Sequence, residues 1–362
     1  MCVELQRKYG TINSRQMQAL YMVKPPQQLP CRGQGPCSML KRRLHMRVRA
    51  AAVLLALGIL LLLAVIFWGS REKPRPLPRL LYRPALFNIV KDSRFIGFNN
   101  ETGTINGEYI IPNIVHFLFF EESRISYVAA VCVLAAFKNQ HPQKILFHTD
   151  VDQFSGPHWE KLKKTPGLVI EVHKVKMPKE IFGQKINHVW HAGDVTRIRI
   201  LMEHGGIFLD NDSYLVRSLD CFRKYEMALG LDENNYIGTQ VLVAHKDARF
   251  LRLWLETYRQ YYPDLWYFNA GQKPALEILS YKPELVHSVR TLFGVHDLSQ
   301  ELYRQRNWKE WRNYYAVHLL IRHRHYLDSW WNYYWWPELN ETNIHNYPMT
   351  FGEMARDVYD PS

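Results

Sequence analysis

Residues 191–220 read HAGDVTRIRILMEHGGIFLDNDSYLVRSLD, an order that sets a helix, a stop, a strand and a pair of carboxylates one after another. The spacing predicts a helix from about His188 to His204, closed by Gly205 and Gly206, with the apolar strand Ile207-Phe208-Leu209 behind it. Asp194 and Arg197 stand three apart, so they share one helix face and reach one region together. Asp210 and Asp212 flank Asn211 directly after the strand. In an extended chain, alternation would point both carboxylates to one side at the carboxyl end of a sheet strand, where open α/β folds bind ligands. Two clustered carboxylates with open positions suit a hard divalent cation, which in turn neutralises a diphosphate. Each half has a plainer explanation alone. Asp194 and Arg197 could be a helix-surface ion pair worth less than ~1 kcal/mol, and Asp-x-Asp recurs at Asp150-Val151-Asp152. Their joint occurrence around Gly-Gly and an apolar strand favours the functional reading.

On either side of this stretch, apolar strands and helices alternate. IPNIVHFLFF, SYVAAVCVLAAFKNQ, KILFHTD, GPHWEKLKKT and GLVIEVHKV precede it, and EMALGLDE, IGTQVLVAHK and DARFLRLWLETYRQYY follow. That pattern predicts an α/β fold with a mostly parallel sheet covered on both faces. A cation held by two carboxylates often takes a third protein ligand, and His318 on the short apolar strand Tyr315–Leu319 is the candidate; His116 and His191 read as structural. Asp232 and Glu233 are candidates for acceptor contact or form a solvated turn, and Asn269-Ala270-Gly271 is either a sugar-pocket loop or a plain turn. The aromatics crowded near the end, Tyr314, Tyr315, Tyr326, Trp330, Trp331, Tyr333, Tyr334, Trp335 and Trp336, read first as a packed cluster; a sugar-stacking platform and a membrane-surface contact are the alternatives.

The chain has 362 residues, with 46 Lys and Arg against 34 Asp and Glu. The excess charge lies in residues 1–49 and 70–85, leaving 86–362 close to neutral, which excludes a nucleic-acid partner for the folded domain. Between the two basic stretches, residues 50–68 (AAAVLLALGILLLLAVIFW) carry no charge and no proline and are long enough to cross a bilayer as a helix. The Pro- and Arg-rich run after it reads as an extended stem. The expected organisation is a cytosolic tail (1–49), a transmembrane signal-anchor (50–68), a stem (69–109) and a lumenal domain (110–362). Basic residues flank both ends of the span, so orientation rests on the sequons Asn100-Glu-Thr and Asn340-Glu-Thr, which must be lumenal to be glycosylated. Cys132 and Cys221 fall in that domain and allow one disulfide, although Cys132 sits in an apolar helix as a buried thiol would.

The pattern H-x-x-D-x-x-R-x-x-x-L-x-x-x-G-G-I-F-L-D-x-D, His191 to Asp212, resembles the sugar-binding signature of glycosyltransferase family 32, in the form of its metazoan Golgi type II members. It is also similar to the nucleotide-sugar site of the large clostridial glucosylating toxins. The resemblance implies a GT-A-like fold, a Rossmann-like mixed sheet flanked by helices. It also implies Mn2+ or Mg2+ as cofactor, a UDP- or GDP-sugar donor, a glycan, glycolipid or glycoprotein acceptor, and transfer with retention in the Golgi or endoplasmic reticulum. Carried over residue by residue, Asp210 and Asp212 would hold metal and diphosphate, with Asp212 the direct ligand. Asp194 and Arg197 would hold the donor sugar, with Phe119 or Phe120 near the base and Gly206 beside the donor. Gly193 replaces the Ser common before the helix Asp, which removes a hydroxyl but keeps the charged pair. A catalytically silent sugar-nucleotide or glycan-binding protein of the same fold is the competing expectation.

Overall fold

In the computed structural model, which describes Gly58, residues 97–294 and residues 298–360, strand β1 (Ile114–Phe119) sorts its side chains between two layers. Val115, Phe117 and Phe119 enter an apolar core shared with helix α1 (Tyr127–Gln140), whereas His116 and Leu118 face helix α3 (Val189–His204). Helix α2 (Pro157–Lys164) adds Leu162 to the first layer. The remaining strands are β2 (Lys144–Thr149), β3 (Ile170–Lys174), the small hairpin β4 (Glu180–Ile181) and β5 (Gln184–Lys185), β6 (Gly206–Leu209), β7 (Ser213–Leu215), β8 (Met227–Leu231), β9 (Ile237–Ala244), β10 (His287–Ser288) and β11 (Ala316–His318).

Seven of them form one sheet in the order β10-β8-β9-β6-β1-β2-β3. Strand β1 runs parallel to β2 and β6, and β2 to β3, while β9 is antiparallel to both β6 and β8. The sheet is mostly parallel, as expected, and mixed on one side, because the tight Asp232–Tyr236 turn folds β9 straight back on β8. Both faces are covered, as the apolar runs require. The rings of Phe119, Phe147 and Phe154 meet at centroid distances of 4.9 to 5.7 Å, and each such burial is worth about 1.5–3 kcal/mol.

Local chemistry explains the helix ends. Ser126 accepts a hydrogen bond from Ala129 N–H to start α1, and His141 stops it with φ 49°. Helix α3 ends at Gly205, φ 64°, whose N–H donates to the Leu201 carbonyl. Gly206 follows at φ 111°, where a Cβ would sit 2.7 Å from both His116 Nε2 and the Ile114 carbonyl.

The expected tail, membrane span and most of the stem lie outside the described residues, Gly58 apart; among those described, no helix is long and apolar enough to cross a membrane. The stem expected to run to residue 109 ends earlier. Thr104 N–H donates to the Lys224 carbonyl, and Asn100 is 5% exposed against Glu226, so residues 97–109 belong to the folded body. Cys132 is a buried free thiol, as its apolar helix suggested.

Gly206→Ala should lower unfolding free energy by at least about 1–3 kcal/mol, because any side chain meets both a forbidden φ and two close polar atoms. A thermal or denaturant midpoint equal to that of the unaltered chain would contradict this reading of the helix-to-strand passage.

Candidate functional site

Strand β6 ends at Leu209, and Ser213 N–H donates to the Asp210 carbonyl at 2.8 Å, closing a tight turn into β7. The two carboxylates thus ride on a turn and not on an extended strand, since the chain must reverse there to begin β7. The turn is tied to its neighbours on three sides. Asp210 N–H donates to the Gln240 carbonyl of β9, Asn211 Nδ2 donates to the Leu118 carbonyl of β1, and the Asp212 carbonyl accepts from Leu319 N–H just past β11. Strand β11 pairs antiparallel with β7, His318 opposite Ser213. That pairing is what brings a residue more than a hundred positions away to the turn.

Arg197 is the hub. Its guanidinium lies 2.8 Å from Asp210 Oδ1 and 3.3 Å from Asp194 Oδ1, donates to the Thr239 carbonyl at 2.8 Å, and sits 5.1 Å from the Phe208 ring centre. Its Nε is buried without a partner among the described residues, as is the hydroxyl of Tyr258 beside it. Burial, only partly offset by Arg197, pushes the Asp194 carboxyl up to about 6. Asp210 is likewise raised, by burial and by the neighbouring Asp212 charge, against Arg197 and His318. Asp212 goes the other way. Burial would raise it, but His318 Nε2 at 3.1 Å and Ile321 N–H at 3.2 Å hold it below the ordinary carboxylate range, and the same contact raises His318. Two carboxylates two residues apart are therefore shifted in opposite directions by their surroundings.

The structure brings Asp194, Arg197, Asp210, Asp212 and His318 together and sets other expected residues elsewhere. Phe119 is fully buried against Phe147 and Phe154, and Phe120 is buried as well, so neither offers a face to a base. Gly206 starts β6, at the end opposite the turn, and packs on His116; it serves the backbone and not a donor. His318 pairs with Asp212 but does not gather with Asp210 into a three-ligand cluster, because Asp210 turns its Oδ1 to Arg197. Asp232 Oδ1 caps its own hairpin by accepting from Asn234 and Tyr236 N–H, and Glu233 is exposed: a solvated turn. Asn269 clamps Tyr262 through both backbone groups. His116 and His191 bond the Gly205 carbonyl and the Tyr261 hydroxyl, as structural histidines do.

The rival Asp150-Val151-Asp152 is spent on Glu121 N–H and an exposed Lys174 pair. Asn100 cannot carry a glycan in this fold, because its Nδ2 is buried and donates to Glu226 and to the Glu284 carbonyl; Asn340 is only half-buried, in a turn. The aromatic cluster is only partly packed: Trp330, Trp331 and Trp335 are each about two-thirds exposed.

Residues 129–234 match the family described as glycosyltransferase sugar-binding region containing DXD motif. Over that segment the chain is similar to DXD glycosyltransferases. The matched stretch contains Asp194, Arg197, Asp210 and Asp212 and supports glycosyl transfer. The glucan organizing enzyme 1 of Cryptococcus neoformans var. grubii serotype A is 23% identical over 183 residues, covering 46% of this chain and 49% of the relative. The chain thus spans about half the length of the curated relative it matches. Among solved structures, the PaToxG glycosyltransferase aligns with a TM-score of 0.34 at 18% identity over 48% of this chain and 70% of the other. A galactosyltransferase LgtC, in complex with donor and acceptor sugar analogues, aligns at 0.33 and 14% over 66% and 83%. The glycosyltransferase GlyE of Streptococcus pneumoniae TIGR4 aligns at 0.39 and 8% over 69% and 63%. At such partial overlap the chemistry of the site rests on its own geometry.

Asp194, Arg197 and Asp210 face one another, so the Asp194 proton matters to all three. A raised carboxyl is ionised only above about 6; the fold accordingly loses stability as pH climbs from the ordinary carboxylate range to that value. Donor turnover should fall as pH drops through about 6, and Asp194→Asn should flatten that limb at a reduced rate. A limb unchanged in the variant would assign the titration to another group.

Proposed function

We propose that this chain is a metal-dependent glycosyltransferase, moving a hexosyl or N-acetylhexosaminyl group from a nucleotide diphosphate-sugar to a glycan, lipid or protein acceptor, with retention at the anomeric carbon. The observation that carries the reading is the run of charges at one strand tip, Asp194 to Arg197 to Asp210, with Asp212 and His318 beside them, inside the segment that matches the sugar-binding region.

The donor set fits the way Mn2+ and Mg2+ bind, through one or two carboxylates with phosphates and water completing the shell, rather than a cage made only of protein. Asp212 and Asp210 would hold the ion. When bound, it supplies neutralisation of the departing diphosphate charge. Asp212 remains ionised because His318 and Ile321 N–H stabilise its charged form. Asp194 can accept hydrogen bonds from sugar hydroxyls, and Arg197 fixes that carboxylate while its unpartnered Nε leaves bonding capacity over. The transfer itself would pass through an oxocarbenium-like transition state.

One observation favours a second reading, binding without turnover. Asp210 Oδ1 is taken by Arg197, and both Asp212 oxygens are engaged by His318 and Ile321, so the carboxylates are not arranged in advance for an ion. A panel of nucleotide sugars with and without Mn2+ separates the two. The enzyme reading expects metal-dependent hydrolysis or transfer that falls more than about a thousandfold in the Asp210→Asn, Asp212→Asn double variant, the loss of several kcal/mol of charge stabilisation. Donor binding with no turnover for any sugar would establish the silent form.

We further propose a single-pass type II placement in Golgi or endoplasmic reticulum membranes, supported by the apolar run 50–68 and the half-buried sequon at Asn340. Endoglycosidase treatment of protein from secretory-pathway cells should shift its mobility, Asn340→Gln should abolish the shift, and Asn100→Gln should leave it. Absence of any glycan on Asn340 would count against a lumenal domain.

A further inference from the structure

Away from the Asp-Asn-Asp turn, four imidazoles meet on the α3 side of the sheet. His148 on β2 is in register with His173 on β3, His116 lies on β1, and His204, the last residue of α3, closes over them. Ring centres are 5.2 Å apart for His116 and His148, and 5.6 to 5.7 Å apart among His148, His173 and His204. One ring nitrogen from each of His148, His173 and His204 lies within 4.8 Å of the others.

The hydrogen bonds fix which nitrogens carry lone pairs. The Gly205 carbonyl can only accept, so His116 Nε2, 2.7 Å away, must be the N–H. His116 Nδ1 is then an acceptor, and His148 Nε2 at 3.0 Å must donate to it. That leaves His148 Nδ1 with a lone pair. His173 Nε2 faces the Glu171 carboxylate at 3.4 Å, which leaves its Nδ1 over; His204 Nε2 stands 3.7 Å from Glu203, beyond hydrogen-bond distance, so either of its ring nitrogens can offer a lone pair. His173, giving one N–H to a carboxylate and keeping its other nitrogen bare, is arranged as metal-ligating histidines are, while His148 gives its N–H to the His116 ring. The deeper rings, His116 and His148, are both buried. Lys144 is the nearby cation, and it is already paired with Glu171 at 2.9 Å. Since β3 is the sheet edge and His173 and His204 are half-buried, an ion could enter from solvent.

We propose that His148, His173 and His204 bind a borderline divalent transition ion, Zn2+ in preference to Mn2+ or Mg2+, with one position left to water, at a site separate from the Asp-Asn-Asp turn. Three nitrogens around Zn2+ at about 2.0–2.1 Å would stand about 3.4 Å apart, so the present spacing of up to 4.8 Å would close by as much as about 1.4 Å on binding. Imidazole donors, in place of carboxylates, are what direct the choice toward Zn2+. Along α3, Arg197 and His204 are separated by roughly 10 Å, at 1.5 Å per residue, so the two sites can be disabled independently.

The test uses the full chain, stripped with chelator and titrated with Zn2+ alone. The Asp210→Asn, Asp212→Asn variant should still bind one equivalent of Zn2+ and gain Tm from it. His173→Gln with His204→Gln, both half-buried and so tolerant of change, should weaken that binding at least about a hundredfold. Titrating Co2+ into the Asp double variant should produce the visible d–d bands of nitrogen ligation, a readout that stands even where the histidine variants fail to fold. No Zn2+ bound to a folded Asp double variant, unchanged affinity in the histidine variant, or Co2+ without such bands would each overturn the proposal. None of these outcomes touches donor turnover, so the result is independent of the glycosyltransferase reading.

Discussion

A single buried guanidinium holds this site in register. Arg197 belongs to helix α3, and the two carboxylates it contacts belong to that helix and to the turn after the next strand. Burying three charges is costly, and their mutual attraction repays the cost only when geometry and hydrogen bonding are good. Removing one partner from such a group commonly costs about 3–5 kcal/mol, because the others are left uncompensated. The arrangement therefore does more than place charge: it couples the position of α3 to the position of the turn. Lysine would not substitute, since a point charge cannot reach Asp194, Asp210 and the Thr239 carbonyl through one planar fork.

The turn is also held from behind. Strand β11 adds to β7, and from it come His318 and, a few residues on, the Ile321 N–H that keep Asp212 ionised. Asp210 takes the opposite environment, raised by burial and by its neighbour. The short spacing between the two residues hides this division, because the partners that create it come from α3 on one side and from the far end of the chain on the other.

Much of this was legible. The helix, its glycine stop, the strand and the Asp194 and Arg197 pair follow from spacing that is local and physical. What was not legible depends on contacts between distant residues. The run IVHFLFF is mostly apolar on both faces, so its sequence does not say whether Phe119 or Phe120 turns toward a ligand; the pairing with β2 and the α1 layer decide that Phe119 is core, and Phe120 is buried too. Nothing near Asn100 announces Glu226 and Glu284 as its partners, and a sequon reads the same buried or exposed. Gly206 shows the converse case. Its positive φ and the His116 ring behind it make it a joint in the backbone.

Helix α3 also links the turn to the histidine cluster. Its Asp194 and Arg197 serve the strand tip, while its last residue, His204, lies among imidazoles near the opposite end of the helix. A helix carries partial negative charge at its C-terminus, where a cation is favoured. An ion beside His204 would lie in that field. The preceding Gly-Gly passage then has a second consequence. By turning sharply at Gly205 it presents the carbonyl that sets the His116 tautomer, and through His116 the lone pair of His148. The backbone geometry that aims β6 toward Asp210 and Asp212 thus also determines which nitrogen of His148 is free at the other end of α3.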